Sequence, residues 1–253
     1  MRGVVIRAWA VPGGSHGRNG GERLRSRAVA NPAQLLLNQI RAWRSTSPQQ
    51  SPERIRGLNT SDHQWLPHRI AVRHLDAIDE LLKQMDAAGR NTSVFRRHYQ
   101  RWGDLVFAYP RGWATNGTAA MDQTALDHLE NLADRLDDFV PTVRPGGLDE
   151  LRDYANGIRE LLDDDDSINE LLKMHIKQIV AHLTWCIDNY NAVGDFDLQE
   201  AVERLASAIL RAYAASSNKE KWSDAAKTWV WPFVVNVIAA IPSSALTQLA
   251  LGH

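Results

Sequence analysis

Residues 67–89 read PHRIAVRHLDAIDELLKQMDAAG, and their apolar positions Ile70, Leu75, Ile78, Leu81, Leu82 and Met85 fall on one face at helical spacing. Pro67 suits a first helical turn, where its missing N–H costs nothing, and Gly89 suits the stop. The same spacing continues outward. Phe95, Tyr99, Trp102 and Val106 make one stripe over residues 93–107, and similar patterns cover about 121–140, 147–162, 167–191 and 197–215. Ser167 with Glu170, and Asp197 with Glu200, have the spacing of capping boxes at the last two starts. No stretch alternates with period two for long enough to demand a sheet. The fold class expected is all-α: a helical bundle with a four-helix unit over 121–215. Its core is expected to hold Leu129, Leu132, Leu136, Leu151, Ile158, Leu172, Ile179, Leu183, Leu205 and Ile209.

Residues 228–252 carry no formal charge, in a chain where 23% of residues are Asp, Glu, Lys or Arg. As a helix these 25 residues would extend about 37 Å, against roughly 30 Å of bilayer hydrocarbon. Trp222, Trp229 and Trp231 gather at its start like an interfacial belt, and Lys219, Lys221 and Lys227 precede it. Pro232, Asn236, Pro242 and Gln248 weaken the case for a full span. The expectation is a hydrophobic C-terminal helical segment that inserts into a membrane or is buried at an interface. Its working residues are Trp229, Val230, Trp231, Pro232, Phe233, Val234, Val235, Val237, Ile238 and Ile241.

At the other end, residues 1–60 hold ten Arg against Glu22 and Glu53, while the middle of the chain is acidic. Residues 12–21 and 45–61 have loop composition, and between them residues 32–44 make one short helix with Leu35, Leu36, Ile40 and Trp43 on a face. Three regions are therefore expected: a basic, largely flexible arm over 1–60, a helical bundle domain over 61–217, and the hydrophobic segment over 218–253. The N-terminal residues make a poor signal peptide, because Arg7 interrupts the apolar run. A single cysteine, Cys186, allows no internal disulfide and points to a reducing compartment. The location expected is the cytoplasm or the cytoplasmic face of a membrane. The excess of Arg over Lys suggests a GC-rich, bacterial coding sequence.

Candidates for chemistry are few. Gly13-Gly14-Ser15-His16-Gly17 fits the nucleophile-elbow pattern but lacks the alternating strands and helices that motif requires. Arg69 and His74, four residues between them, resemble the active-site motif of the HEPN ribonucleases. That resemblance implies an all-α dimer cutting RNA in a shared basic cleft, although Ile70 follows the Arg where the family usually places a polar residue. His175, His182 and Cys186 border one helix face with ligand types suited to zinc, yet only His182 and Cys186 have i, i+4 spacing. Asp163, Asp164, Asp165 and Asp166 lack the glycine and glutamate of a calcium loop and read as a capping loop. Arg90, Arg96, Arg97, His98 and Arg101 interleave with the aromatic stripe, but that stripe has core spacing.

No catalytic residue, cofactor or metal is assigned. The function expected is non-enzymatic: a soluble bundle that anchors or controls the C-terminal segment. In arrangement this is similar to the small membrane effectors of bacterial phage defence. Two other readings stay open, a HEPN-like all-α ribonuclease and a soluble helical adaptor whose tail is buried at an oligomer interface. The partners expected are a second copy or another protein, then a membrane, and more weakly nucleic acid.

Overall fold

A computed structural model describes residues 31–44, 49–58, 65–107, 122–137 and 139–229, and the backbone of Phe233–Val234. It is predominantly helical. In chain order the elements are α1 (Pro32–Ala42), α2 (Pro52–Ile55), α3 (Leu66–Ala87), α4 (Ser93–Phe107), α5 (Gln123–Leu136), β1 (Thr142–Val143), α6 (Gly147–Asp163), α7 (Glu170–Asp188), α8 (Tyr190–Ala215), α9 (Lys219–Lys227) and β2 (Phe233–Val234). The periodicity of residues 67–89 thus becomes α3, with Pro67 in its first turn. At its end Gly89 takes φ 74°, and the N–H groups of Gly89 and Arg90 return to the carbonyls of Asp86 and Met85. That is a Schellman stop, open to glycine because it lacks the Cβ that penalises positive φ.

Among the described residues the helices form two cores. The first joins α1, α3, α4 and α5 around Leu36, Leu37, Ile78, Trp102, Leu129 and Leu136. Trp102 is fully buried and its Nε1 donates to the Ala125 carbonyl at 2.8 Å, which ties α4 to α5. The second joins α6, α7, α8 and α9 around Leu151, Ile158, Leu183, Leu205 and Trp222. The two cores meet where α1 and α3 pack on α8.

This partition corrects the four-helix unit expected over 121–215. α5 turns its apolar face to α1, α3 and α4, while α6 to α9 close on one another. Periodicity reports that a helix has an apolar face, not which neighbour covers it. Of the ten expected core residues, Leu172 and Ile179 are only partly buried and the other eight are buried.

The expected arm also divides. Residues 1–30, 45–48 and 59–64 lie outside the described residues. Residues 32–42 form the expected short helix, but not as part of a weakly structured arm: Ala33, Leu36, Leu37 and Ile40 are completely buried. Asn31 caps α1 by accepting from the Gln34 N–H at 3.0 Å, while its amide donates to the Ala133 carbonyl at 2.9 Å. A chain segment flanked by loop composition still folds when a matching apolar face exists elsewhere.

Both expected capping boxes are absent. Asn169, not Ser167, caps α7 by accepting from the Leu172 N–H at 2.9 Å. Asp197 stands inside α8, which begins at Tyr190 and breaks at Gly194 (φ 76°, ψ −170°). Both side chains are taken by longer-range partners, and those partners define the sites below.

Candidate functional site

The C-terminal run is tied to the body by a chain of contacts that begins before it. Asp165, in the loop after α6, is fully buried. It accepts hydrogen bonds from the Ser167 N–H and hydroxyl, the Ser216 hydroxyl, the Asn218 amide and Trp222 Nε1. Burial by itself would raise this carboxyl's pKa, but the donors of Ser167, Ser216 and Trp222 outweigh it and hold the group well below the usual carboxylate range. The loop after α6 is thereby fastened to the α8–α9 link. Trp222 is completely buried, so α9 belongs to the helical body rather than to the hydrophobic segment.

α9 then delivers Trp229 against α6. The Trp229 ring meets Tyr154 edge to face at 5.0 Å, and the Tyr154 hydroxyl donates to the Ala225 carbonyl at 2.7 Å. Burial raises the Tyr154 pKa, so this hydroxyl stays protonated and remains a donor. Four residues later β2 pairs antiparallel with β1, with Thr142 opposite Val234 and Val143 opposite Phe233. β1 is itself held. The Val143 N–H donates to Asp195 Oδ1 at 2.9 Å, and the Tyr190 hydroxyl donates to the same oxygen at 2.7 Å. Asp195 directly follows the Gly194 break, which carries it to the sheet.

Of the ten residues expected to work in the segment, Trp229 packs on Tyr154, and Phe233 and Val234 form β2. Val230, Trp231, Pro232, Val235, Val237, Ile238 and Ile241 lie outside the described residues. At Phe233–Val234 the helix expected through the run is replaced by extended backbone. A sequence signal for this was present. Pro232 removes a helical donor and disfavours helix in the residue before it, and Phe233, Val234 and Val235 have side chains that favour strands. Among the described residues no helix is long and apolar enough to cross a membrane.

Beside this seam a cleft of about 850 Å³ opens between α3 and α8. Phe139 and Pro141, just before β1, form part of its wall. In it Arg73 Nε stands 2.9 Å from Asp197 Oδ2, and the Arg73 guanidinium lies 5.6 Å from the Trp185 ring centre. Asp197 is only 4% exposed, and its burial raises its pKa despite Arg73. The contact is an ion pair, and Asp197 Oδ2 is sealed beneath it.

The other sequence candidates are dispersed. Arg69 is exposed, whereas His74 is 1% exposed and bonds the Ala192 carbonyl through Nε2 at 2.9 Å. The pair therefore shares no cleft in this chain, and His74 serves as a tie between α3 and α8. His175 is exposed, His182 lines the cleft, and Cys186 is buried with its Sγ 4.0 Å from His182 Nε2. Burial pushes the Cys186 thiol up to about 12, which disfavours the thiolate that a metal or a nucleophilic reaction would need. Among the described residues no cluster of three His, Cys, Asp or Glu side chains could hold a metal.

On α4, Arg96 pairs with Asp86, Arg101 pairs with Asp122, and His98 stacks on His128 at 3.9 Å. Phe95 and Trp102 face the core as their spacing implies. The Gly13 to Gly17 motif lies outside the described residues. Asp165, Asp195 and the Arg73–Asp197 pair were missed. Only Asp165 left a local trace, an Asp two residues before a Ser, the spacing of an Asx turn.

The buried His74 makes stability depend on pH. Burial lowers its pKa to about 4, with the Ala192 carbonyl pulling the other way. An unfolded imidazole takes up its proton near 6.5. Between those values the unfolded chain binds more protons, so stability is intact above the upper one and falls as pH drops. His74 alone contributes a loss of about 2 kcal/mol between pH 7.5 and 5. His68, lowered to about 4 by burial and by Arg56, adds to the same slope. Urea unfolding at the two pH values is expected to show a smaller loss for His74→Gln than for the wild type. An equal loss in both would refute the assignment.

No protein-family model, curated protein or solved structure matches the chain.

Proposed function

We propose that the helical body seats and controls the apolar C-terminal run, and that the protein acts as a membrane-associated effector of the bacterial defence type, without enzymatic chemistry of its own. The observation that carries this reading is the pairing of Phe233–Val234 with Thr142–Val143, a strand held in turn by Asp195. Two strand residues make a weak attachment, since an isolated pairing this short is marginal in water. Trp229 adds a half-buried ring whose Nε1 is buried with no hydrogen-bond partner among the described residues. A contact with an unmet donor is poised to exchange for another, because the buried group gains a partner on release. The body is thus built to stay folded while the run leaves.

The test compares the full chain with one ending at Trp229, which keeps α9 and Trp222 in place. Full-length protein is expected to float with vesicles of anionic phospholipid, and the shortened chain to stay behind with the same helical content. Val235→Arg is expected to abolish flotation without unfolding, since insertion scales charge about 2.5–3.5 kcal/mol for an Arg at a bilayer centre. If the full chain never floats and instead forms an oligomer that the shortened chain cannot, the run is an interface and the membrane reading is wrong. If Val235→Arg unfolds the whole protein, the run is part of the core.

A further inference from the structure

The seam between α4 and α5 is crossed in turn by Arg101 against Asp122, Trp102 against the Ala125 carbonyl, His98 against His128, and Arg135 over the Phe95 ring. The ion pair, the hydrogen bond and the cation–π contact keep their charge states through the mildly acidic and neutral range. The two imidazoles do not, because an unperturbed ring titrates near 6.5.

His98 and His128 lie face to face, with ring centres 3.9 Å apart and planes inclined by 27°. Both are half-buried. Neutral rings stack favourably at this spacing, whereas two imidazolium ions repel. The surrounding groups offer little relief. Arg97 and Arg101 add positive charge from α4. From α5 Asp122 acts on His98, but it already accepts from Arg101 and from the Ala125 N–H. Asp127, next to His128 in the chain, accepts from the Gln123 amide. Arg96 turns to α3, where Asp79 and Asp86 hold it.

The second observation concerns one atom. His98 Nδ1 is buried and has no hydrogen-bond partner among the described residues. A neutral imidazole can leave that nitrogen as a bare lone pair, but an imidazolium carries N–H on both nitrogens. A charged donor sealed from water without an acceptor costs more than an unmet lone pair. Protonating His98 therefore favours any arrangement in which α4 and α5 part enough to admit water. Desolvation, then His128 and Arg101, hold the His98 pKa below the ordinary imidazole value, with Asp122 pulling the other way. The open seam thus binds protons more readily than the closed one. Closure is fully favoured above about 6.5 and weakens as pH falls.

We propose that His98 and His128 form an acid-sensitive latch, which holds α5 against α4 while both rings are neutral and releases it once they are charged. α5 lines the first core with Leu126, Leu129 and Leu132, so release admits water along that side of the core. The latch involves no residue of the C-terminal run, and its test makes no reference to membranes.

Hydrogen exchange of the full-length protein, followed amide by amide at pH 7.5 and 5 and corrected for intrinsic rates, tests it. Protection of residues 126–132 in α5 is expected to fall about three- to tenfold more than that of residues 180–187 in α7, because a proton taken up only by the open seam raises its population. His74 and His68 destabilise the whole fold in acid, and the α7 reference removes that share. His98→Phe keeps a flat ring in the seam and is expected to abolish the difference. His128→Phe is expected to raise the pH at which the His98 ring titrates, followed by NMR. Equal losses of protection in α5 and α7 of the wild type overturn the proposal, as does a wild-type difference that survives in His98→Phe. If His98→Phe loses its helical signal, His128→Phe decides: an unchanged His98 titration also overturns the latch.

Discussion

Replacing Leu36 and Leu37 together by alanine is expected to unfold most of the protein at room temperature. Both side chains are completely buried in the first core, where α1 packs against α3 and α5. A fully buried Leu→Ala change costs about 2–5 kcal/mol, the upper part of that range applying where the surroundings cannot collapse into the space. Two such changes at consecutive positions remove about 4–10 kcal/mol, against a total stability of about 5–15 kcal/mol for an ordinary domain. α1 cannot shift to compensate, because Asn31 fixes its start to the Ala133 carbonyl and Trp43 is held at its end beneath Arg56, 4.5 Å from the ring centre. Urea titration followed by far-ultraviolet circular dichroism measures the effect. A midpoint equal to that of the wild type would mean that residues 32–42 are dispensable, as their flanking composition alone suggests.

Trp222→Ala is expected to cost about 3–5 kcal/mol through the cavity it opens between α9 and α6 to α8. It also withdraws the Nε1 donor from Asp165, the carboxylate that joins the loop after α6 to the link before α9. Trp222→Phe separates the two losses. It retains most of the ring and forfeits the hydrogen bond, with an expected cost of about 1–3 kcal/mol. Because Asp165 is held below the usual carboxylate range, its contribution is present at neutral pH and is lost as acid protonates the folded state. The penalty for Trp222→Phe therefore shrinks toward low pH, while the cavity penalty of Trp222→Ala persists. Thermal melts of the two variants at pH 7 and in acid distinguish them. Equal penalties at both pH values for the phenylalanine variant would mean that Asp165 is not the acceptor that matters.

The helices of this protein were legible one at a time. α3 and α4 follow from the spacing of Ile70, Leu75, Ile78 and of Phe95, Trp102, Val106, and the glycine stop at Gly89 follows from its lack of a Cβ. Local sequence also located α1, because Leu36 and Ile40 recur at helical spacing whatever surrounds them. These are properties of a helix surface, and three or four neighbouring residues are enough to define them. Partnership is not such a property. Whether α5 turns to α1 or to α6, whether Asp197 caps a helix or pairs with Arg73, and whether Phe233 extends a helix or meets Val143 depend on residues some tens to more than a hundred positions away. The energy of those contacts comes from burial, which treats apolar faces of similar width almost alike. Only the assembled fold could distinguish Asp165, surrounded by donors at the α8–α9 link, from Asp197, paired with Arg73 in the wall of an acidic cleft.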